Sequence, residues 1–230
     1  MAAAFKPRLS TPATGVVITG AASGFGYAAA QALAAVGRPV ALWDSDAARV
    51  AAAAEAIHAT FGVPAIGLAL NLCRPHAIVA AAEQTRTALP GIGAIVHAEG
   101  VVDHGALEGA DLESWTLGIN TNLRPLLVLA QVFLNDLGQQ SGSAIVAFSA
   151  LGCAPGGGGN PIYSAAAGGV PSLVRALAHH LKRDGIRVNA VAARQDPTTA
   201  AGMEEAACVV RFLLSYEARG INAQECVVGG

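Results

Sequence analysis

Charged residues and aromatic rings are scarce in this 230-residue sequence, at 13% and 5%, and the formal net charge is only −2. The 14 lysines and arginines form no basic stripe of the kind that follows nucleic-acid phosphates, so binding to DNA or RNA is not predicted. Hydrophobic residues, in contrast, make up 53% of the chain. This composition excludes a disordered or fibrous protein and predicts one globular domain with a large core.

Cysteine pairs and long apolar runs are also missing. Cys73, Cys153, Cys208 and Cys226 lie far apart, with no CxxC pair and no nearby histidine at metal-ligand spacing, so neither a disulfide framework nor a metal site is predicted. No apolar stretch reaches the roughly 18 to 20 residues that a membrane span needs, and the first residues lack the apolar core of a signal peptide. We expect a cytoplasmic protein with reduced thiols, with no membrane partner, a flexible tail over residues 1–14 and a single domain over residues 15–230.

Short β-branched runs alternate along the chain with longer segments of helical period. Strict alternation requires right-handed crossovers between parallel strands. The sequence therefore predicts an α/β fold of the Rossmann type, a doubly wound seven-stranded parallel sheet with helices on both faces. Six helices are expected, the fourth a single long helix near Asp111–Leu137, and the run Gly156–Gly159 predicts a mobile loop. The predicted strands are Gly15–Thr19, Pro39–Trp43, Ala65–Leu70, Ala94–His97, Ser143–Phe148, Ile186–Val191 and Gln224–Val228.

A glycine-rich motif, TGAASGFG over Thr19–Gly26, joins the first predicted strand to the first helix. Glycines let the backbone approach a pyrophosphate, and the helix N-terminus attracts the anion. Asp44 ends the second strand 44 − 24 = 20 residues after Gly24, where a carboxylate binds the adenosine ribose hydroxyls and repels a 2′-phosphate. NAD is therefore predicted over NADP; a tight turn with a surface aspartate is the alternative. The predicted cofactor-binding residues are Gly20, Ser23, Gly24, Phe25, Gly26 and Asp44.

With these residues in this order, nearly the whole chain resembles the short-chain dehydrogenase/reductase family. The match extends through Trp115 with Asn122-Leu123, and through the strand that contains Arg187–Val191. The resemblance implies that Tyr163 transfers a proton, that Ser149 holds the substrate oxygen and that Asn122 positions a water relay. It also implies that Asn71 contacts the adenine and that Gly100 belongs to the cofactor site.

The sequence departs from the family pattern around this predicted site. Ala167 stands four residues after Tyr163, where the family has a lysine that lowers the tyrosine pKa, and an unassisted tyrosine is almost fully protonated at neutral pH. Replacement by Arg124 or Arg194 stays open, whereas Arg175 lies roughly 18 Å along the helix. His97-Ala98-Glu99-Gly100 replaces the usual Asn-Asn-Ala-Gly, so that Glu99 either finds a hydroxyl partner or repels the pyrophosphate. The Ser-to-Tyr spacing is 163 − 149 = 14, about one residue longer than is common, and the region after Ala193 is short.

Two other side chains near this site have competing interpretations. His97 is a candidate replacement acid or base, but a histidine at the end of a buried strand favours a hydrogen-bonded structural role. Cys153 is a candidate reactive thiol, but an unreactive buried or loop thiol is the expectation. Ser149 and Tyr163 themselves are either catalytic or relics held by packing.

Apolar stripes on the two long helices predict subunit contacts. In the family that the chain resembles, these helices and the last strand build dimer and tetramer interfaces. A homologous active subunit is therefore the expected partner, in a hetero- or homo-tetramer. The stripes consist of Val170, Leu173, Val174, Leu177 and Leu181 on one helix, and of Leu126, Leu127, Leu129, Ala130, Val132 and Phe133 on the other.

Three functions follow from these observations. The leading hypothesis is a degenerate, non-catalytic subunit of a heteromeric NAD-dependent alcohol or hydroxyacyl-thioester dehydrogenase, which stabilises an active homologous subunit and has retained or lost its own NAD site. The first alternative is an active NAD-dependent oxidoreductase that acts on a secondary alcohol or ketone through Ser149, Tyr163 and Asn122. The second is an NAD-sensing binding module. The substrate is not predicted, because the segment that would shape its pocket is shortened.

Overall fold

A computed structural model describes residues 10–100, 111–151, 161–193 and 200–229. Seven parallel strands form one sheet in the order β3-β2-β1-β4-β5-β6-β7. The predicted Rossmann-type single domain is confirmed. Gly156–Gly159, Cys153 and Arg194 lie outside the described residues. The strands are β1 Gly15–Thr19, β2 Val40–Asp44, β3 Ala65–Ala69, β4 Ile92–His97, β5 Ala144–Leu151, β6 Arg187–Ala193 and β7 Glu225–Val228.

Helices cover both faces of the sheet. Because strand side chains alternate between faces, Val16 and Ile18 of β1 pack with one helical layer and Val17 packs with the other. The first layer contains α1, α2 and α8, and the second contains α3, α5, α6 and α7. The helices are α1 Gly24–Ala34, α2 Ala47–Phe61, α3 Pro75–Ala88, α4 Leu112–Asn122, α5 Arg124–Val132, α6 Leu134–Gly138, α7 Pro161–Leu181 and α8 Ala200–Leu213.

The prediction of one long helix near Asp111–Leu137 is wrong. The chain leaves helical geometry at Leu123 (φ −123°, ψ −45°) and again at Phe133, and this gives three helices in place of one. Pro125 stands in the first turn of α5, where its missing N–H costs nothing, but it cannot donate to a carbonyl four residues earlier. The break therefore places Asn122 at a helix end.

Most residues of the predicted interface stripes do not face outward. Val170, Val174 and Leu181 of α7 lie in the core of the chain itself, as do Leu126 and Phe133. Their helical spacing reflects packing against the sheet. The prediction that these buried residues form subunit contacts is therefore wrong. Leu127 remains 39% exposed and Val227 of β7 is 51% exposed.

Two buried guanidinium groups donate to main-chain carbonyls at the C-terminal end of α8, Arg38 to Leu214 O and Arg187 to Leu213 O. Arg38 also donates to Thr14 O and Thr14 Oγ1. Ser10, also within the predicted tail 1–14, donates through its backbone N to the carboxylate of Glu217. Residues 10–14 thus bond to the domain, and residues 1–9 lie outside the described part of the chain.

Among the described residues, no helix is both long and apolar enough to cross a membrane. The same residues contain no group of three His, Cys, Asp or Glu side chains that could hold a metal ion.

Candidate active site

The loop between β1 and α1 is shaped by three glycines. Gly20 (φ +63°) and Gly24 (φ +57°) adopt left-handed backbone geometry that favours glycine. A Cβ at Gly26 would lie 2.2 Å from Gly20 O, so any side chain there would push the loop away from the helix. A Cβ at Gly24, in contrast, would meet open space. The loop is thus tightly packed at Gly20 and Gly26 and has free space beside Gly24.

Asp44 at the end of β2 is bonded to this loop. Its Oδ2 accepts a hydrogen bond from Ala22 N at 3.0 Å, and its Oδ1 accepts one from Asp46 N at 3.1 Å. The carboxylate is half-buried at the edge of the sheet where the parallel strands end. Its position beside the loop is the one that a ribose-binding acid needs.

The other predicted cofactor residues have different surroundings. Ser23 is exposed at the N-cap of α1, and its side chain makes no capping bond. The ring of Phe25 is buried and stacks on Phe148 at 5.4 Å, so only its backbone can face a cofactor. Asn71 is exposed after β3, and its Oδ1 accepts from Cys73 N at 2.8 Å.

His97 closes β4 inside the core. Its Nδ1 lies 2.8 Å from Thr19 Oγ1, and its buried Nε2 has no hydrogen-bond partner. Burial lowers the pKa of His97 to about 4, which keeps the ring neutral near pH 7. This geometry fits the structural role that the sequence favours.

Glu99 follows two residues later and reaches the candidate site. Ala98 and Glu99 touch the phosphate loop so closely that a Cβ at Gly20 would lie 2.7 Å from Ala98 O. The Oε2 atom of Glu99 is buried and has no hydrogen-bond partner. Burial, followed by repulsion from Asp44, raises the pKa of Glu99 to about 7.

Ser149 lies at an irregularity in β5. The pairing register with β6 shifts between Phe148 and Ala150, as at a β-bulge. Ser149 is 5% exposed, and its Oγ donates a hydrogen bond of 2.5 Å to Oε1 of Glu225 on β7. The sequence does not predict Glu225, because no motif marks a partner 76 residues away. The contact depends on the pairing of β7 with β6, which the sequence alone does not specify.

Tyr163 and Asn122 line the same cleft as Ser149 and lie on two packed helices. Gly118 of α4 faces Ile162 of α7, and Gly169 faces Leu123, so the two helices approach closely. Tyr163, in the first turn of α7, is 6% exposed, and Asn122 donates through Nδ2 to Gly118 O at 3.1 Å. The structure therefore brings the three predicted catalytic residues to one cleft. Its described lining is Glu99, Gly100, Asn122, Phe148, Ser149, Tyr163, Ala167 and Val170.

The described lining of this cleft contains a carboxylate but no lysine or arginine. Ala167, one turn after Tyr163, contributes only a methyl group. Arg124 is exposed and does not line the cleft, and Arg175 is exposed and donates to Ser172 Oγ. The space that these residues enclose is about 20 Å³, room for about one water molecule. Glu99 contributes the carboxylate of this lining.

The family model described as short chain dehydrogenase matches residues 14–205. The chain belongs to this family. GalD of Rhizobium meliloti (strain 1021), a probable galactose dehydrogenase, is 31% identical over 217 residues, which cover 90% of this chain and 85% of that protein. BbsD of Thauera aromatica, a (2S)-[(R)-hydroxy(phenyl)methyl]succinyl-CoA dehydrogenase subunit, is 32% identical over 176 residues, with coverage of 76% and 70%.

A solved short chain dehydrogenase from Burkholderia cenocepacia J2315 in complex with NADP has a similar structure. The TM-score is 0.83 at 26% sequence identity, and the match covers 94% of this chain and 96% of that one. A nicotinamide cofactor is thus supported for this fold and family, whereas the predicted choice of NAD depends on Asp44.

The residues of this chain fit the two ends of a dinucleotide differently. At the adenosine end, the open space above Gly24 and the carboxylate of Asp44 fit a pyrophosphate and an unmodified ribose. At the other end, the described lining of the cleft contains the Glu99 carboxylate, the Ala167 methyl group and no lysine or arginine. The described residues therefore fit an adenosine ribose and a pyrophosphate, and at the nicotinamide end they offer a carboxylate and not a cation.

Proposed function

We propose that this protein is an oxidoreductase of the short chain dehydrogenase family that binds NAD and acts on a secondary alcohol or the corresponding carbonyl compound. The observation that carries this proposal is the convergence of Asn122, Ser149 and Tyr163, from three different elements, on one cleft next to the glycine loop. GalD and BbsD, whose names describe dehydrogenases, support the same reaction class.

Bound NAD would supply the hydride acceptor for the carbinol carbon, and the glycine loop and Asp44 would hold its adenosine end. The protein must therefore hold the alcohol and take up the hydroxyl proton, and the phenolate form of the buried Tyr163 side chain is the base that would accept it. The described lining of the cleft contains no lysine or arginine that would stabilise the phenolate. We expect slow turnover that rises with pH.

The hydrogen bond from Ser149 to Glu225 limits how Ser149 can bind a substrate. A hydroxyl has one proton, and that of Ser149 is given to Glu225. Ser149 can accept from a substrate in this arrangement, but it can donate to a substrate oxygen only after it leaves Glu225.

The test measures turnover by the purified chain with NAD and a panel of sugars and secondary alcohols. The absorbance of NADH monitors the reaction. We expect measurable oxidation that Tyr163→Phe abolishes while NADH affinity, measured by calorimetry, stays unchanged. An equal rate in Tyr163→Phe, or no binding of NADH, would contradict the proposal.

A second candidate is the non-catalytic subunit, and Ala167 together with Glu99 in the cleft favours it. BbsD is named as one subunit of a dehydrogenase, so a multi-subunit arrangement occurs among the relatives. Under this hypothesis the chain alone is inactive and raises the stability or activity of a homologous subunit. Co-expression with an intact homologue and measurement of the native mass would distinguish the two functions.

An NAD-sensing module is the third candidate function, and the same experiments distinguish it. It would bind NADH in calorimetry, show no turnover with any substrate and form no complex with an intact homologue.

A further inference from the structure

Glu99 carries a buried carboxylate oxygen that the proposed reaction does not use. The side chain lines the cleft with Ser149 and Tyr163, and its Oε2 has no hydrogen-bond partner. An unpartnered buried carboxylate costs free energy, so it persists in a structure only where something else offsets it. A cationic ligand group would supply that missing interaction.

Among the described residues, the groups identified around Glu99 are negative or neutral. Asp44 repels it from the end of β2, and the Tyr163 phenol faces the same cleft from α7. Glu225 of β7 reaches the cleft through Ser149, while His97 of β4 is kept neutral by burial. The described lining contributes no compensating cation. This end of the site is therefore anionic when Glu99 is ionised.

The position of the nicotinamide ring follows from the proposed chemistry. In the proposed reaction one substrate carbon would give its hydride to the ring while its hydroxyl proton goes to the Tyr163 phenolate, so the ring would lie against this cleft. The ring of NAD⁺ carries a positive charge, and the ring of NADH is neutral. The rest of the two molecules is identical.

From these observations we infer that Glu99 makes the site select the oxidised cofactor, NAD⁺, over NADH. The inference rests on the proposed NAD-binding function. The carboxylate attracts the charged ring of NAD⁺ and has no such attraction for the ring of NADH. Its repulsion of the pyrophosphate is the same for both forms, so it cancels in the ratio of the two dissociation constants.

The preference should depend on pH in one direction. Burial and the neighbouring Asp44 raise the pKa of Glu99 to about 7, so the side chain is largely neutral at pH 6 and largely charged at pH 8. The preference for NAD⁺ therefore rises with pH across this range. Binding of NAD⁺ also favours the ionised carboxylate, so it should release protons near pH 7, whereas binding of NADH should not.

The experiment is calorimetric titration of the whole protein with NAD⁺ and with NADH at about pH 6 and about pH 8. We expect the dissociation-constant ratio to favour NAD⁺ by about fivefold more at the higher pH. Glu99→Gln keeps the shape of the side chain and should remove this change. Glu55→Gln, at an exposed carboxylate on α2, is the matched control and should leave it intact.

Two results would overturn the inference. One of them would also overturn the proposed function. If both forms bind and the ratio is the same at both pH values, Glu99 has no role in selection, but the proposed function stands. If neither form binds to the wild-type protein, the proposed function fails together with the inference. The pH series on the wild-type protein needs no variant, so poor folding of Glu99→Gln would leave the test intact.

Discussion

Asp44 bonds to the loop and is proposed to bind the ribose, and the two roles can be separated. Asp44→Asn retains an oxygen that can accept from Ala22 N but removes the negative charge. We predict that the affinity for NADPH relative to NADH rises by about tenfold, because repulsion of the 2′-phosphate is lost. Competitive calorimetry with the two cofactors measures this ratio.

Asp46→Asn is the control for that variant. Asp46 caps α2 by accepting from Arg49 N, so its charge lies nearby but belongs to the helix. This change should leave the cofactor ratio unaltered. If Asp46→Asn shifts the ratio as much as Asp44→Asn does, general surface charge explains the preference and Asp44 has no special role.

Ala167 and Glu99 line the same cleft, so their effects should be coupled. We predict that Ala167→Lys alone raises turnover only slightly, because the new ammonium group pairs with Glu99. Combined with Glu99→Ala, it should raise turnover by about tenfold or more and move the pH profile to lower pH, since the lysine then lowers the pKa of Tyr163. Steady-state rates across a pH series provide the measurement.

An outward-facing lysine on the same helix controls for added charge. Ala165 is exposed on α7, two residues after Tyr163. Ala165→Lys should not change the rate. A gain equal to that of the double variant would show that the position of the charge is irrelevant.

Glu225 competes with a substrate for the proton of Ser149. Glu225→Ala removes that competitor at an exposed position, and we predict that kcat/KM rises by about threefold to tenfold, the range expected when one modest hydrogen bond no longer has to be broken. Gln224→Ala, at the exposed neighbouring residue, should have no effect. A fall in kcat/KM for Glu225→Ala would instead mean that Glu225 holds Ser149 in its working orientation.

At the scale of elements, the contact between α4 and α7 decides where Asn122 and Tyr163 meet. A Cβ at Gly118 would lie 2.4 Å from Cγ2 of Ile162, whose β-branched side chain has little freedom in a helix. We predict that Gly118→Ala lowers the free energy of unfolding by about 1 to 3 kcal/mol through overpacking, and lowers activity as the helices separate. Denaturant unfolding and turnover test this.

Gly168 on α7 offers a matched alanine substitution without a clash. It is exposed, and a Cβ there would meet nothing within 4 Å. Gly168→Ala should be neutral or stabilising by up to about 1 kcal/mol, because alanine favours the helix. Equal losses in the two variants would contradict the packing argument.

The alternation of strands and helices was predictable because strands buried on both faces read as short apolar runs. The break at Leu123 was harder to predict, because apolar residues continue at helical spacing on both sides of Pro125. The apolar stripe on α7 predicts a subunit contact, yet Val170 and Val174 pack on the sheet of the same chain. A helical period shows that one face is buried, but it does not show what buries it.

The candidate site was predictable to the extent that motifs mark the ends of neighbouring strands. Asp44 and Ser149 were identified in this way, since parallel strands end at one edge. The bond from Ser149 to Glu225 and the unpartnered oxygen of Glu99 depend on side-chain packing across elements distant in sequence. Position in the sequence does not determine such contacts.

At the scale of the whole molecule, two buried groups give stability an opposing dependence on pH. The pKa of Glu99 rises from 4.5 to about 7 on folding, so ionisation of Glu99 costs stability as pH rises through that range. The pKa of His97 falls from 6.5 to about 4, so stability is lost as pH falls through that range. Between about pH 4.5 and 6.5 the two effects offset each other.

Glu99→Gln should remove the contribution of Glu99 to the pH dependence of stability. We predict that the free energy of unfolding of the variant, relative to wild type, increases by on the order of 3 kcal/mol between about pH 5 and pH 8. Urea unfolding at several pH values measures it, with Glu55→Gln as the control. A difference that stays constant with pH would mean that Glu99 titrates alike in the folded and unfolded chains.

The strand order also has a consequence for how the chain folds. β1 is an interior strand of the sheet, between β2 and β4, and Val16, Val17 and Ile18 are fully buried. β2 can pair with β1 early, but the other edge of β1 has no partner until Ile92–His97 has been synthesised. Closing so long a loop is slow, and an apolar strand edge left open in the meantime attracts other chains. We expect nascent chains that stop between β3 and β4 to be the ones that depend most on chaperones.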